Sequence, residues 1–180
     1  MLNAARPEDI IFTSGGTEGN NLVLYTATRL ASETAPAQPR VHIVSTTVEH
    51  DSVENMLQHL EATGWADVTR VAPRGGLQVD DIVAALRPET TLVTVMLANN
   101  ETGTIFPVGE IASAVKAWAG ERGQQILVHT DAAQVGTGPP RNMTNKLALR
   151  IRGLSALTSF VPWPGYREDF RGCPGQPQGR

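Results

Sequence analysis

Cysteine is almost missing from this chain: Cys173 is the only one in 180 residues. An internal disulfide is therefore excluded, and the expectation is a reducing, cytoplasmic compartment. No apolar run approaches the roughly 20 residues that a membrane-crossing helix needs. The opening MLNAARPEDI lacks the basic and apolar regions of a secretory signal. Positive charge is not in excess either, with 15 Lys and Arg against 18 Asp and Glu, a net charge of −3. A phosphate-tracking surface shows as surplus Lys and Arg, so nucleic acid is not an expected partner, and neither is a membrane. What is present is ordinary globular composition, 41% hydrophobic and 18% charged, with length enough for one sizeable core.

Two textures meet near residue 136. Before it, short β-branched runs alternate with segments of helical period. IIFT (10–13), VHIVS (41–45), DVTRVA (67–72), TLVTVML (91–97) and ILVHT (126–130) read as strands. Val53, Met56, Leu57 and Leu60 recur at helical spacing, as do Ile111, Val115 and Trp118 behind Pro107. DDIVAALR (80–87) predicts a shorter helix that stops before Pro88. Such alternation implies an α/β fold, a doubly wound, mostly parallel sheet covered on both faces. After Gly136 the pattern is lost. LALRIRGL (147–154) reads as one strand, while the Pro- and Gly-crowded remainder of 136–180 is expected to be poorly ordered.

The unusual polar clusters sit where strands end. IIFT runs into SGGTEGNN, HIVS into TTVEHDS, TVML into ANNETG, and LVHT into DAAQ. Ligands of open parallel sheets bind outside the carboxyl ends of the strands, so four clusters there suggest one site. SGGTEGNN (14–21) predicts a glycine turn and a helix start whose amides suit a phosphate, with the Thr17 hydroxyl adding a bond; a plain helix cap fits equally well. No Gly-Lys-Ser/Thr follows and G-x-G-x-x-G is not matched, which disfavours ATP and dinucleotides. His50, after a strand and before a helix, reads either as a cap or as a residue that stacks on a ring or shuttles a proton. Asn99 and Asn100 read as turn residues or as amide donors to a ligand oxygen, and Glu101 as support for the loop. Asp131, an acid at the tip of a buried strand, needs a partner: a salt bridge, a helix start, or a cationic ring nitrogen. A phosphate cradle, a stacking histidine and an acid for a ring nitrogen together describe a pyridoxal 5'-phosphate (PLP) pocket.

SGGTEGNN, VEHDSV, LANNETG and HTDAAQ, in this order, resemble the cysteine desulfurase and selenocysteine lyase group, among the class V aminotransferase-like PLP enzymes of fold type I. The resemblance covers about residues 8–134. It implies a partial PLP-binding large domain over 1–135 and a divergent tail over 136–180. It assigns Gly16 and Thr17 to the cofactor phosphate, and His50, also the catalytic candidate, to the face of the pyridine ring. It assigns Asn100 and Gln134 to the phenolic oxygen and Asp131 to the ring nitrogen. The implied reaction takes selenium from selenocysteine, or sulfur from cysteine, and leaves alanine; the implied assembly is a homodimer. No metal is implied.

Two features depart from that family. Its S/G-H-K-x-Y-G-P motif, whose lysine bonds the cofactor, is not found in this chain. The only lysines are Lys146, without the flanking His or Tyr-Gly-Pro, and Lys116, expected on an outer helix facing solvent. The family's mobile-loop cysteine also has no counterpart, because Cys173 lies in RGCPG, where nothing promises a lowered thiol pKa. The expectation is a truncated or alternatively spliced form, or a faulty gene model, without the covalent chemistry.

Overall fold

The computed structural model describes residues 11–34 and 40–133, together with the strand pair 158–159. In chain order the elements are α1 (Gly16–Thr34), β1 (Val41–Thr46), α2 (Asp51–Ala62), β2 (Ala66–Val71), α3 (Val79–Ala84), β3 (Thr90–Thr94), α4 (Val108–Gly120), β4 (Leu127–Asp131) and β5 (Thr158–Ser159). The strands form one sheet in the order β2-β1-β3-β4-β5, and every pairing is parallel. From β1 the chain steps through α2 to β2 on one side. It then returns through α3 to β3 on the other side and continues through α4 to β4.

The side-chain period of two sorts the strand residues onto opposite faces. Ile43 and Leu92 point with Val53, Leu57 and Leu60 of α2 and Leu24 and Ala27 of α1 into one core. Val44, Val93 and Val128 point with Ile82 of α3 and Ile111 and Val115 of α4 into the other. The helices change face as the chain changes direction, so each crossover keeps the same hand. The winding reverses between β1 and β3, and the carboxyl ends of strands at such a reversal are where open parallel sheets bind ligands.

Because β1, β3 and β4 are buried on both faces, their polar side chains must find partners inside. His42 spans three strands, its Nδ1 2.7 Å from Thr90 Oγ1 and its Nε2 2.9 Å from Thr69 Oγ1. Burial, then the charge of Arg87, lowers the pKa of its ring. His129 Nδ1 meets Thr94 Oγ1 across β3 and β4 at 2.8 Å. On the outside, Arg70 of β2 grips Glu54 and Glu61 of α2 at 2.9 and 2.7 Å, which fixes α2 against the sheet edge.

The predicted strands at 41–45, 67–72, 91–97 and 126–130 all form, the third as Thr90–Thr94 with an extended continuation whose Val95 and Leu97 amides bond His129 and Asp131 carbonyls. The predicted helices form as well, and Lys116 is exposed on α4 as expected. IIFT is different. Residues 11–13 form no strand, and Phe12 is 94% exposed. The run has strand composition, but no described residue offers it a ladder to join. LALRIRGL, Lys146, Cys173 and Gln134 lie outside the described residues, as does most of the predicted tail. Among the described residues no helix is long and apolar enough to cross a membrane, and no group of His, Cys, Asp or Glu could hold a metal ion.

Candidate active site

Asp131 closes β4 on the face covered by α1, and it is 6% exposed. A buried carboxylate is costly unless donors meet it. Its Oδ2 accepts from Asn20 Nδ2 at 2.8 Å, and its Oδ1 accepts from the Ala133 amide at 2.9 Å. Asn20 Nδ2 also donates to Ser52 Oγ at 2.9 Å. Since a carboxylate only accepts, the Asn20 atom that faces it has to be the NH2 group, and both of its hydrogens are used.

Ser52 carries the connection to His50, the N-cap of α2, which has extended backbone (φ −65°, ψ 149°). The Ser52 amide donates to His50 Nδ1 at 3.1 Å, and Ser52 Oγ lies 2.9 Å from the same nitrogen. Nδ1 is therefore an acceptor, and the neutral ring carries its proton on Nε2. Of the two readings of His50 from the sequence, the cap is the one seen here. Its Nδ1 edge caps the helix, while the residue as a whole remains exposed after the end of β1.

Gly16 opens α1 and Thr17 follows it on the exposed surface of the first turn. Amides of a first turn have no helical acceptors and point outward. Glu18 answers part of that positive end, its Oε2 accepting from the Ser14 amide at 2.6 Å, and bonds from the Ser14 side chain first and its amide second lower the Glu18 pKa. Asn20 sits one turn further along the same helix, so the glycine turn and Asp131 are joined through α1.

Past β3 the chain makes a tight turn. Asn99 organises it: Oδ1 accepts from the amides of Glu101 and Thr102 and from Thr102 Oγ1, and Nδ2 donates to the Val48 carbonyl at 3.1 Å. Gly103 closes the turn at φ +71°, a left-handed conformation that glycine adopts without strain. Asn100 stands exposed at the tip, and Glu101 contributes its backbone, as expected of loop support. Asn99 holds the loop in place and leaves Asn100 facing outward.

Sequence reasoning missed Asn20, Ser52 and Glu49. Asn20 had a signal, because it lies four residues before Leu24 and seven before Ala27, in line with the buried stripe of α1. Glu49 had none, since its neighbours Val48 and His50 say nothing about burial. Its stem is half-buried, and its Oε2 is wholly buried without a hydrogen-bond partner among the described residues.

The sequence matches the Aminotransferase class-V family over residues 1–146. It is 48% identical to a selenocysteine lyase of Xenopus tropicalis, over 92% of this chain and 46% of that protein. It is 42% identical to a cysteine desulfurase of a Nostoc species, over 79% of this chain and 33% of that one. The chain thus spans about half the length, or less, of these curated relatives. Among solved structures, DndA from Streptomyces lividans superposes with a TM-score of 0.62 at 38% identity, over 73% of this chain and 34% of that chain. Fold and sequence agree: this chain belongs to the class-V aminotransferase family.

Proposed function

We propose that this chain is the cofactor-binding part of a PLP-dependent selenocysteine lyase, an enzyme that converts L-selenocysteine to L-alanine and selenium. The observation that carries the reading is Asp131, a buried acid at the carboxyl end of a central strand, held by Asn20 in a network that reaches His50. Such an acid fits a protonated pyridine nitrogen. The outward amides of Gly16 and Thr17 fit a phosphate, and the exposed His50 fits a ring face. Asn100 and Gln134 would complete the set at the phenolic oxygen. When bound, PLP supplies a sink for the electrons released at the α-carbon of the amino acid.

The residues of the chain divide the remaining work. Asp131 would hold the ring nitrogen and favour its protonated form. Asn20 holds the Asp131 carboxylate still. Ser52 holds His50 Nδ1 as an acceptor, which leaves the proton of the neutral ring on Nε2. By itself, we infer, the chain does not turn over selenocysteine, because no S/G-H-K-x-Y-G-P lysine motif occurs in it. Homodimeric assembly and a cytosolic setting belong to the same proposal. The rival reading is a cysteine desulfurase, favoured by the 42% identity to the Nostoc protein.

Titration of the purified chain with PLP, followed by equilibrium dialysis, tests the pocket. The wild-type chain is expected to retain PLP and Asp131→Ala to retain at least tenfold less, since a charge-assisted bond of roughly 1.5–3 kcal/mol is lost. Equal retention by both would sink the pocket. Alanine released by the chain alone would refute the inactivity, and comparing release from selenocysteine and cysteine by a lysine-containing relative with this segment exchanged would separate the two substrates.

A further inference from the structure

We propose that Glu49 is a positioning residue of the candidate site: its carboxyl ties the end of β1 to the end of β3 and fixes His50 relative to the Asn99–Asn100 turn. This deepens the PLP reading and rests on it for its consequence in ligand binding. The tie itself is geometric. Glu49 Oε1 accepts from Thr46 Oγ1 at 2.6 Å, on the strand it follows, and from the Met96 amide at 3.0 Å, across the point where the winding reverses. The Asn99 Nδ2 bond to the Val48 carbonyl is a second tie across the same gap, one residue away. Glu49 is followed directly by His50, and Met96 precedes Asn99 by three residues. Moving the carboxyl would therefore move both sides of the site.

The surroundings decide the charge state of this group. Oε2 is buried and has no partner among the described residues, so an ionised carboxyl would hold buried, poorly compensated charge. The charged groups that face it are Asp131 on β4 and Glu54 on α2, both acidic, with His50 next in the chain and Arg70 already engaged by Glu54. Burial foremost, then these acids, push the Glu49 carboxyl up to about 7, against the bonds from Thr46 and Met96. In the neutral acid Oε1 is the carbonyl oxygen that accepts both bonds, and Oε2 carries the proton. A glutamine can copy that arrangement; an alanine cannot.

The full chain, as wild type, Glu49→Gln and Glu49→Ala, tests this in three measurements. Below pH 4.5 the group is protonated folded and unfolded alike. Between 4.5 and about 7 only the folded state keeps the proton, so wild-type stability falls as pH rises. The unfolding constant of wild type relative to Glu49→Gln is expected to rise by about 300-fold across that window. Amide exchange at Met96 and Asn99 is expected to be unchanged in Glu49→Gln and about tenfold faster in Glu49→Ala. PLP retention should follow the same order. A pH-independent difference between wild type and Glu49→Gln overturns the proposal, as does Met96 exchange that is the same in all three chains. If Glu49→Ala fails to fold, the Glu49→Gln arm still decides. If wild type retains no PLP, the cofactor reading falls, while the exchange and pH arms judge the tie independently.

Discussion

Removing the amide of Asn20 should be among the most damaging single changes on α1. The side chain is 1% exposed, and its two N–H groups are spent on Asp131 Oδ2 and Ser52 Oγ. Asn20→Ala deletes a bond to a carboxylate, worth roughly 1.5–3 kcal/mol, and one to a hydroxyl, worth roughly 0.5–1.5 kcal/mol. It also leaves the buried Asp131 short of a donor. The better helix propensity of alanine returns only about 0.5 kcal/mol. A net loss of about 2–4 kcal/mol is expected, a large part of the 5–15 kcal/mol typical of a domain. Asn21→Ala, one residue on, is the control. It changes the same residue type on the same helix without touching the network, and should cost less than about 0.5 kcal/mol.

Asn20→Asp sharpens the test, because it keeps the shape and exchanges the donor for an acceptor. Two carboxyl groups would then face each other at the present 2.8 Å, and one of them must hold a proton for the pair to stay buried. The loss should deepen as pH rises from 5 to 8, whereas that of Asn20→Ala should stay nearly level. Urea unfolding followed by far-ultraviolet circular dichroism measures all three variants. If Asn20→Ala unfolds within 0.5 kcal/mol of Asn21→Ala, roughly the scatter of surface substitutions, the network contributes nothing to the fold. A pH-independent Asn20→Asp would show that its carboxyl does not face Asp131.

Other expected outcomes follow from the same structure. Burial drives the His129 ring down to about 4, so the unfolded chain takes up a proton that the folded chain refuses as pH falls from 6.5. Stability should drop by about 3 kcal/mol between pH 6.5 and 4, and His129→Asn should remove that slope in urea titrations. Glu49 tilts the profile the opposite way over an overlapping range, so wild type should be flatter than either single variant. Gly103→Ala, at φ +71°, should cost about 1 kcal/mol and speed amide exchange of Thr104 and Phe106, whose turn it closes.

The fold was legible because its signals are local. Val41 to Thr46 and Leu127 to Asp131 are short β-branched or apolar runs, and Val53, Leu57 and Leu60 lie on one side of a helix whichever sheet they cover. The reversal of direction between β1 and β3 was not local. It depends on which strand β3 chooses as neighbour, and that choice is made by burying Leu92 against α1 and α2 and Val93 against α3 and α4 at once. IIFT misled for the same reason: strand composition states a preference, while a strand requires a partner.

The candidate site was half legible, and the division follows the physics. Asp131, His50 and Asn100 end strands or begin helices and turns, positions where a polar residue is conspicuous in one dimension. Asn20, Ser52 and Glu49 each act through at least one distant contact, 32 residues for Asn20 to Ser52, 47 for Glu49 to Met96 and 111 for Asn20 to Asp131. No spacing rule covers such distances. Only one of the three stands out against its own helix, Asn20 in the apolar stripe. A polar residue in a buried stripe has to be satisfied from another element, so it marks a long-range contact before its partner is known. The same reasoning applies to His129, which is fully buried with its Nε2 unpartnered among the described residues. Its low pKa is the cost of that burial, and among the described residues Thr94 holds the ring. The strand that delivers Asp131 to the candidate site is thus held by a neutral histidine two residues earlier, on the same face. Acid that protonates His129 should therefore disturb the placement of Asp131.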